Sequence, residues 1–358
     1  MRLKVRVNFR KQSGAALLIM MLALILTASI FIVKRFDSQS VEVGRDKKTA
    51  AALAEAKKVL IQFAAFNSNY PGSLGYPGSL PCPDINNDGK GDRYDAKGNS
   101  ISNGTECISG YVGRLPWEDL NTEVFKDGAG ECLWYALSPI YRNSLPINRR
   151  SKIKLNALNV KTLGELKVYD EQFNLINSDV VAIIFAPNSK LINQYRKAKN
   201  AGCGELESSQ YLDKIINGNS AIDNSTGKFD AIPHSFIVSK STNYFNDKLI
   251  FITRTELWNI SLLGVKKNIS GEYLNDNGYF RGSGLMHFYH KEGGKLRYPY
   301  ADNGDIDFWE NDSLLNGELP IDELSFSSDV RKWIINNDWL SVLKYSVNNS
   351  AQDFNLSF

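Results

Sequence analysis

The most chemically loaded stretch of the chain follows Cys82 and reads Pro-Asp-Ile-Asn-Asn-Asp-Gly-Lys-Gly-Asp-Arg-Tyr-Asp, ending at Asp95. With Asp84 as position 1, Asn86 and Asp88 fall at 3 and 5, Gly89 at 6, Lys90 at 7, Asp92 at 9 and Asp95 at 12. This is the ligand spacing of an EF-hand-type calcium loop. Alternate oxygen side chains would turn toward one hard cation, the glycine would make the sharp turn, and Lys90 would offer its main-chain carbonyl. The expected cofactor is therefore calcium, held by Asp84, Asn86, Asp88, Lys90, Asp92 and Asp95. Asp95 replaces the usual bidentate Glu and reaches less far, and the flanks read as loop instead of helix. The competing reading is a solvated turn, because Asn, Asp and Gly favour turns by themselves.

Four cysteines accompany this loop: Cys82, Cys107, Cys132 and Cys203. An even count allows three connectivities. A bridge from Cys82 to Cys107 would clamp the acidic loop and leave Cys132 for Cys203. The spacings fit no CxxC zinc or redox motif. His287 and His290 lie three apart with Glu292 close by. The context Leu285–Lys291 suits a strand, on which the two rings would point oppositely. Gly282-Ser283-Gly284 lacks the G-x-S-x-G pattern of a hydrolase elbow, and neither a P-loop nor a Rossmann fingerprint is present. Asp302, Asp305, Asp307 and Glu310 match no calcium register and read as a solvated loop. No enzyme activity is expected.

What must position these residues begins at the N-terminus. Arg2, Lys4, Arg6, Arg10 and Lys11 precede Ala15–Val33, an uncharged run of 19 residues. That length predicts a membrane-crossing helix. The basic flank predicts a cytoplasmic N-terminus and an exported remainder. A cleaved secretory signal, with Thr27-Ala28-Ser29 as a poor small-x-small site, and a plain signal anchor are the alternatives. From Val43 to Phe66 the helical pattern continues. Leu53, Ala56, Leu60 and Phe63 share one face, and the alanines favour helix by propensity. Tyr70-Pro-Gly-Ser-Leu-Gly and Tyr76-Pro-Gly-Ser-Leu-Pro then repeat as turns.

Lys11-Gln12-Ser13-Gly14, followed at once by the apolar run, resembles the class III signal of type IV prepilins and type II secretion pseudopilins. The resemblance implies cleavage between Gly14 and Ala15 by a prepilin peptidase, and methylation of the new amino terminus. It implies other pilin or pseudopilin subunits and an inner-membrane assembly platform as partners, with no nucleic acid. The family usually begins with Phe, where this chain has Ala15. It usually carries Glu at the fifth mature position, where this chain has Ile19. A carboxylate in hydrocarbon is costly, and pairing with a neighbour's amine relieves it; a subunit without it suits the filament tip better than the shaft. Leu80-Pro-Cys-Pro-Asp84, Gly113-Arg-Leu-Pro-Trp117, Asp127–Ala136 and Asn246–Trp258 also resemble a group of proteobacterial prepilin-like proteins for which no enzyme activity is implied.

In the remainder, Leu166–Asp170 and Val180–Ala186 read as strands. His234–Lys240 and Lys248–Arg254 read as a long-loop hairpin. Cys132–Tyr141, Lys190–Asn200, Glu256–Leu263 and Asp329–Val347 read as helices. The expected organisation is a leader (1–14), a transmembrane assembly helix (15–33), an amphipathic stem (34–69) and a periplasmic head (70–358). The expected fold class is α+β and pilin-like: a long N-terminal hydrophobic helix packed on an antiparallel sheet with helical insertions. The expected place is the inner membrane, single-pass, with release to a pilus or the cell surface on assembly. A filament-displayed adhesin and a membrane-anchored periplasmic hydrolase are the alternative functions. Charge agrees with the leader reading: of 42 basic residues five lie before Gly14, and without them 37 face 39 acidic ones, turning +3 into −2. The basicity therefore marks no nucleic-acid patch.

Overall fold

Alanines, leucines and lysines dominate the sequence before Phe66, and such a composition favours helix. The computed structural model describes residues 13–66, 77–94, 106–107, 112–141, 158–196, 203–204, 207–276, 279–292, 296–302, 314–322, 324–326 and 328–358. Its first element is α1, Ser13–Phe66, a helix of 54 residues. The chain divides into two units, Met1–Lys48 and Thr49–Phe358. In the first unit, Met20, Met21, Leu22 and Leu24 are exposed, as is the charged stretch Val41–Lys48.

The second unit is built on a six-stranded sheet. Its strands are β1 (Val112–Arg114), β2 (Trp134–Leu137), β3 (Leu166–Tyr169), β4 (Leu175–Ala186), β9 (Ser235–Ile237) and β10 (Lys248–Thr253). Between β4 and β9 lies a four-stranded antiparallel meander. It comprises β5 (Lys214–Asn217), β6 (Ser220–Asp223), β7 (Lys228–Phe229) and β8 (Ile232–Pro233). The main sheet runs β9–β3–β4–β2–β1, with β10 also paired to β4. Strand β9 lies parallel to β3 and the other pairs are antiparallel. The long β4 explains the centre of the unit. From Val180 onward it is fully buried, with Ile184 and Ala186 in one core cluster and Ile183 and Phe185 in the other. A β-branched run buried on both faces suits a central strand.

The last turns of α1 cover the first cluster: Leu53, Ala56, Leu60 and Phe63 pack with Tyr135, Val181 and Ile184. Helix α2 (Arg254–Ser270) follows β10 directly and starts at a capping box between Thr253 and Glu256. Lys57 of α1 donates from Nζ to the carbonyl of Phe251 at 2.8 Å and to Glu256 Oε1 at 2.7 Å. Farther on come α3 (Gly284–His287) and α4 (Ser328–Asn336). A C-terminal antiparallel sheet orders β11 (Asn316–Gly317), β12 (Lys344–Val347) and β13 (Phe354–Ser357).

Several expectations are overturned. Among the described residues no helix is long and apolar enough to cross a membrane. This corrects both the transmembrane reading of Ala15–Val33 and the single-pass inner-membrane placement. Taken over its whole length, α1 is a single long helix that is not apolar. It continues unbroken through Lys34, Arg35 and Asp37 into a charged segment. The fold class is corrected too. The molecule is mixed α/β around a curled half-barrel sheet, which includes a parallel pair. The part of α1 that covers the sheet is the alanine- and lysine-rich end, not a hydrophobic N-terminal helix.

The expected hairpin does not form, because β9 and β10 join different neighbours. The connecting loop spends Asn246 and Asp247 on Ser189 and Asp213 instead of turning back. Cys132–Tyr141 is strand β2 and a short 3-10 turn (Pro139–Tyr141), not a helix. All four residues of β2 are buried, so no polar face exists to define a helical period. Lys190–Arg196 forms turns, and 197–200 lie outside the described residues. The late helix ends at Asn336. Asp338 turns with φ +55°, and the chain enters β12.

Candidate functional site

The acidic loop is tied to the edge of the main sheet. Asp84 and Arg114 exchange backbone hydrogen bonds, Asp84 N–H to Arg114 O at 3.0 Å and Arg114 N–H to Asp84 O at 2.6 Å. A disulfide joins Cys82 to Cys107 beside it. Within the loop the side chains fold inward onto the backbone. Asp84 Oδ1 accepts from the N–H groups of Asn86 (3.2 Å) and Asn87 (2.6 Å), and its Oδ2 accepts from Gly89 (2.8 Å). Asp92 Oδ2 accepts from Ile85 and Asn86, and its Oδ1 accepts from the Asn86 amide at 2.8 Å. Asn86 Oδ1 accepts from Asp88 N–H, and Asp88 Oδ1 from Lys90 N–H. Asn87 and Gly89 adopt positive φ, +67° and +86°. Gly89 lies against the Trp117 ring, where a Cβ would overlap it.

Burial governs the electrostatics. Asp84 is 1% exposed, and desolvation pushes its carboxyl up to about 6, with the charges of Asp88 and Asp92 adding. The N–H groups of Gly89 and Asn87 pull the other way. Desolvation raises Asp92 as well. Lys90 turns its ammonium outward to Glu118 at 3.4 Å. Asp84, Asn86, Asp88, Lys90 and Asp92 thus share one loop, while Asp95 lies outside the described residues. Among the described residues, no three His, Cys, Asp or Glu side chains stand together as a metal-holding group. The carboxylates of Asp84 and Asp92 each accept three hydrogen bonds from the loop's own donors.

The second disulfide, Cys132–Cys203, has a partner that sequence reasoning missed. Arg114 is buried and donates to the carbonyls of both cysteines, 3.1 Å to Cys132 O and 2.7 Å to Cys203 O. Its guanidinium lies 3.9 Å from the Trp134 ring centre and 4.3 Å from that of Tyr211. Burial pushes it down to about 10, so it remains a cation at neutral pH. Nothing in the spacing around Arg114 announces this; the signal is tertiary. The histidines also fall differently. His287 ends α3 and His290 sits in the following π-helical turn Phe288–Glu292, so the strand expected there is absent. His287 is buried, whereas His290 stacks on Tyr273 with ring centres 4.1 Å apart. Asp302 bridges Glu318 in a short backbone ladder; Asp305, Asp307 and Glu310 lie outside the described residues.

Comparison with protein-family models, curated proteins and solved structures finds no match to this chain.

Proposed function

We propose that the chain is an assembly subunit of the type IV pilin or type II pseudopilin class, cut between Gly14 and Ala15, with no catalytic role. The observation that carries this reading is the 54-residue helix α1, Ser13–Phe66, which contains the proposed cleavage point between Gly14 and Ala15. A helix of that length is far beyond the usual three or four turns, and side-by-side packing of long helices is how such filaments are built. The disulfides Cys82–Cys107 and Cys132–Cys203 suit a unit that works in an oxidising compartment. Other subunits of the filament, a prepilin peptidase and an assembly platform are the proposed partners. Ile19 in place of the family's glutamate favours the tip, where no successor subunit needs that carboxylate.

The test is processing. The parent chain and a Gly14→Ala variant are each co-expressed with a prepilin peptidase, and the N-terminus is read by mass spectrometry. The expected result is a mature chain starting at methylated Ala15 in the parent and an intact leader in the variant. Identical N-termini in both would sink the proposal.

A further inference from the structure

Two aspartates lie buried together away from the acidic loop. Asp213 directly precedes β5 and Asp247 directly precedes β10; they are 4% and 1% exposed. Each carboxylate accepts the other residue's backbone N–H. Asp213 N–H donates to Asp247 Oδ2 at 2.8 Å, and Asp247 N–H donates to Asp213 Oδ2 at 3.2 Å. This reciprocal pairing brings the two carboxyl groups close enough for each to act on the other. Asn246 N–H adds a bond to Asp213 Oδ2 at 2.7 Å, and the Gln194 amide donates to Asp213 Oδ1 at 2.6 Å. Asn224 donates to Asp247 Oδ2 at 3.0 Å, its orientation fixed because its Oδ1 accepts from Ile237 N–H. Asp247 Oδ1 is buried and meets no donor among the described residues.

Among the described residues no cation makes a salt bridge to either carboxylate, although the charge of Arg196 acts on Asp213. The hydrogen bonds of Arg196 among the described residues go elsewhere: to the carbonyls of Pro187, Asn188, Gln210 and Tyr211 and to the Gln194 amide oxygen. It also lies 3.5 Å from Glu131. Asp223, next to Asn224, spends Oδ1 on Ser225. Lys214 and Lys248 follow the two aspartates in sequence, the first exposed and the second half-buried. Two neighbouring carboxylates in a buried site cannot both ionise without a large cost. An oxygen that meets no donor is the one free to carry a proton and donate it.

We propose that Asp213 and Asp247 share a single proton at neutral pH, and that this proton latches the β5–β8 meander to the start of β10 and is released to solvent as pH rises. The proton belongs to the pair, and Asp247 Oδ1, which meets no donor among the described residues, is the oxygen open to carry it. Burial and the charge of Asp213 both raise Asp247, whereas the Arg196 charge partly offsets the effect of burial on Asp213. The sign follows from linkage. A carboxyl whose folded value lies above its unfolded one stabilises the fold fully below the unfolded value, and that stability is lost as pH rises through the folded value.

The test uses the full chain in chelator. Melting temperature is followed from about pH 5 to about pH 9 for the parent and Asp247→Asn, whose amide donates where the shared proton does. The parent is expected to lose about 5 °C or more across that range, and the variant to show a flatter curve. Infrared spectra at about pH 8, above ordinary carboxyl values, should show a protonated-carboxyl band in the parent that is missing in the variant. Parallel pH curves, or no such band in the parent, overturn the proposal. So does a Ca²⁺- or Mg²⁺-induced rise in melting temperature at about pH 9 that Asp247→Asn abolishes, since a cation would then hold the pair. If Asp247→Asn does not fold, the band in the parent decides alone.

Discussion

Three backbone N–H groups converge on Asp84. An ionised carboxylate has about four lone-pair sites, so accepting backbone bonds and ligating a cation are compatible. Asp88 keeps Oδ2 outside these internal bonds, its Oδ1 accepting from Lys90. The two readings of the loop separate cleanly. Bound calcium predicts a rise in melting temperature with Ca²⁺ that Asp88→Ala removes. A self-closed turn predicts no shift with Ca²⁺ or chelator, and only a small effect of Asp88→Ala, within about 0.5 kcal/mol as for most surface changes. The spacing of Asp84, Asn86, Asp88 and Gly89 was legible because turn and calcium loop both need oxygens at alternate positions. Which of them the oxygens serve was not, since backbone donors come from the folded path of the loop. Arg114 was wholly illegible: its partners Cys203 and Tyr211 lie about 90 or more residues away in sequence.

At the scale of elements, the α1–α2 contact is the most exacting. Gly264 of α2 sits so close to Ala65 of α1 that a Cβ there would overlap the Ala65 carbonyl oxygen. Backbone cannot yield as a side-chain tip does. Gly264→Ala should therefore destabilise the protein by about 2 kcal/mol or more, despite alanine's better helix propensity; denaturant unfolding measures it, and a stabilised variant would refute the contact. The stripe Leu53, Ala56, Leu60 and Phe63 could be read from spacing, because a helix repeats every 3.6 residues whatever it packs on. The strand β2 and the break of the late helix could not. A short run buried on both faces carries no period. The turn at Asn337 depends on its side chain bonding Leu158 N–H at 2.8 Å, across 179 positions of sequence.

For the molecule as a whole, the two disulfides span different loops, 25 residues for Cys82–Cys107 and 71 for Cys132–Cys203. Chain entropy gives the longer closure the larger effect. Replacing Cys132 and Cys203 by Ser should cost about 4 kcal/mol, and replacing Cys82 and Cys107 about 3 kcal/mol. Chemical denaturation ranks them, and the reverse order would show that native packing, above all Arg114 bound to both Cys132 and Cys203 carbonyls, outweighs loop length. By itself the sequence determined what is local: the long helical pattern through Phe66, the buried strand at Val180–Ala186, the oxygen-rich turn after Cys82 and the concentration of basic charge before Gly14. These depend on neighbours within a few residues, which a one-dimensional pattern contains. Only the tertiary structure decided that β9 lies parallel to β3 and that Asp213 meets Asp247. Each is a matter of what distant segments bury together, and burial is a property of the folded whole.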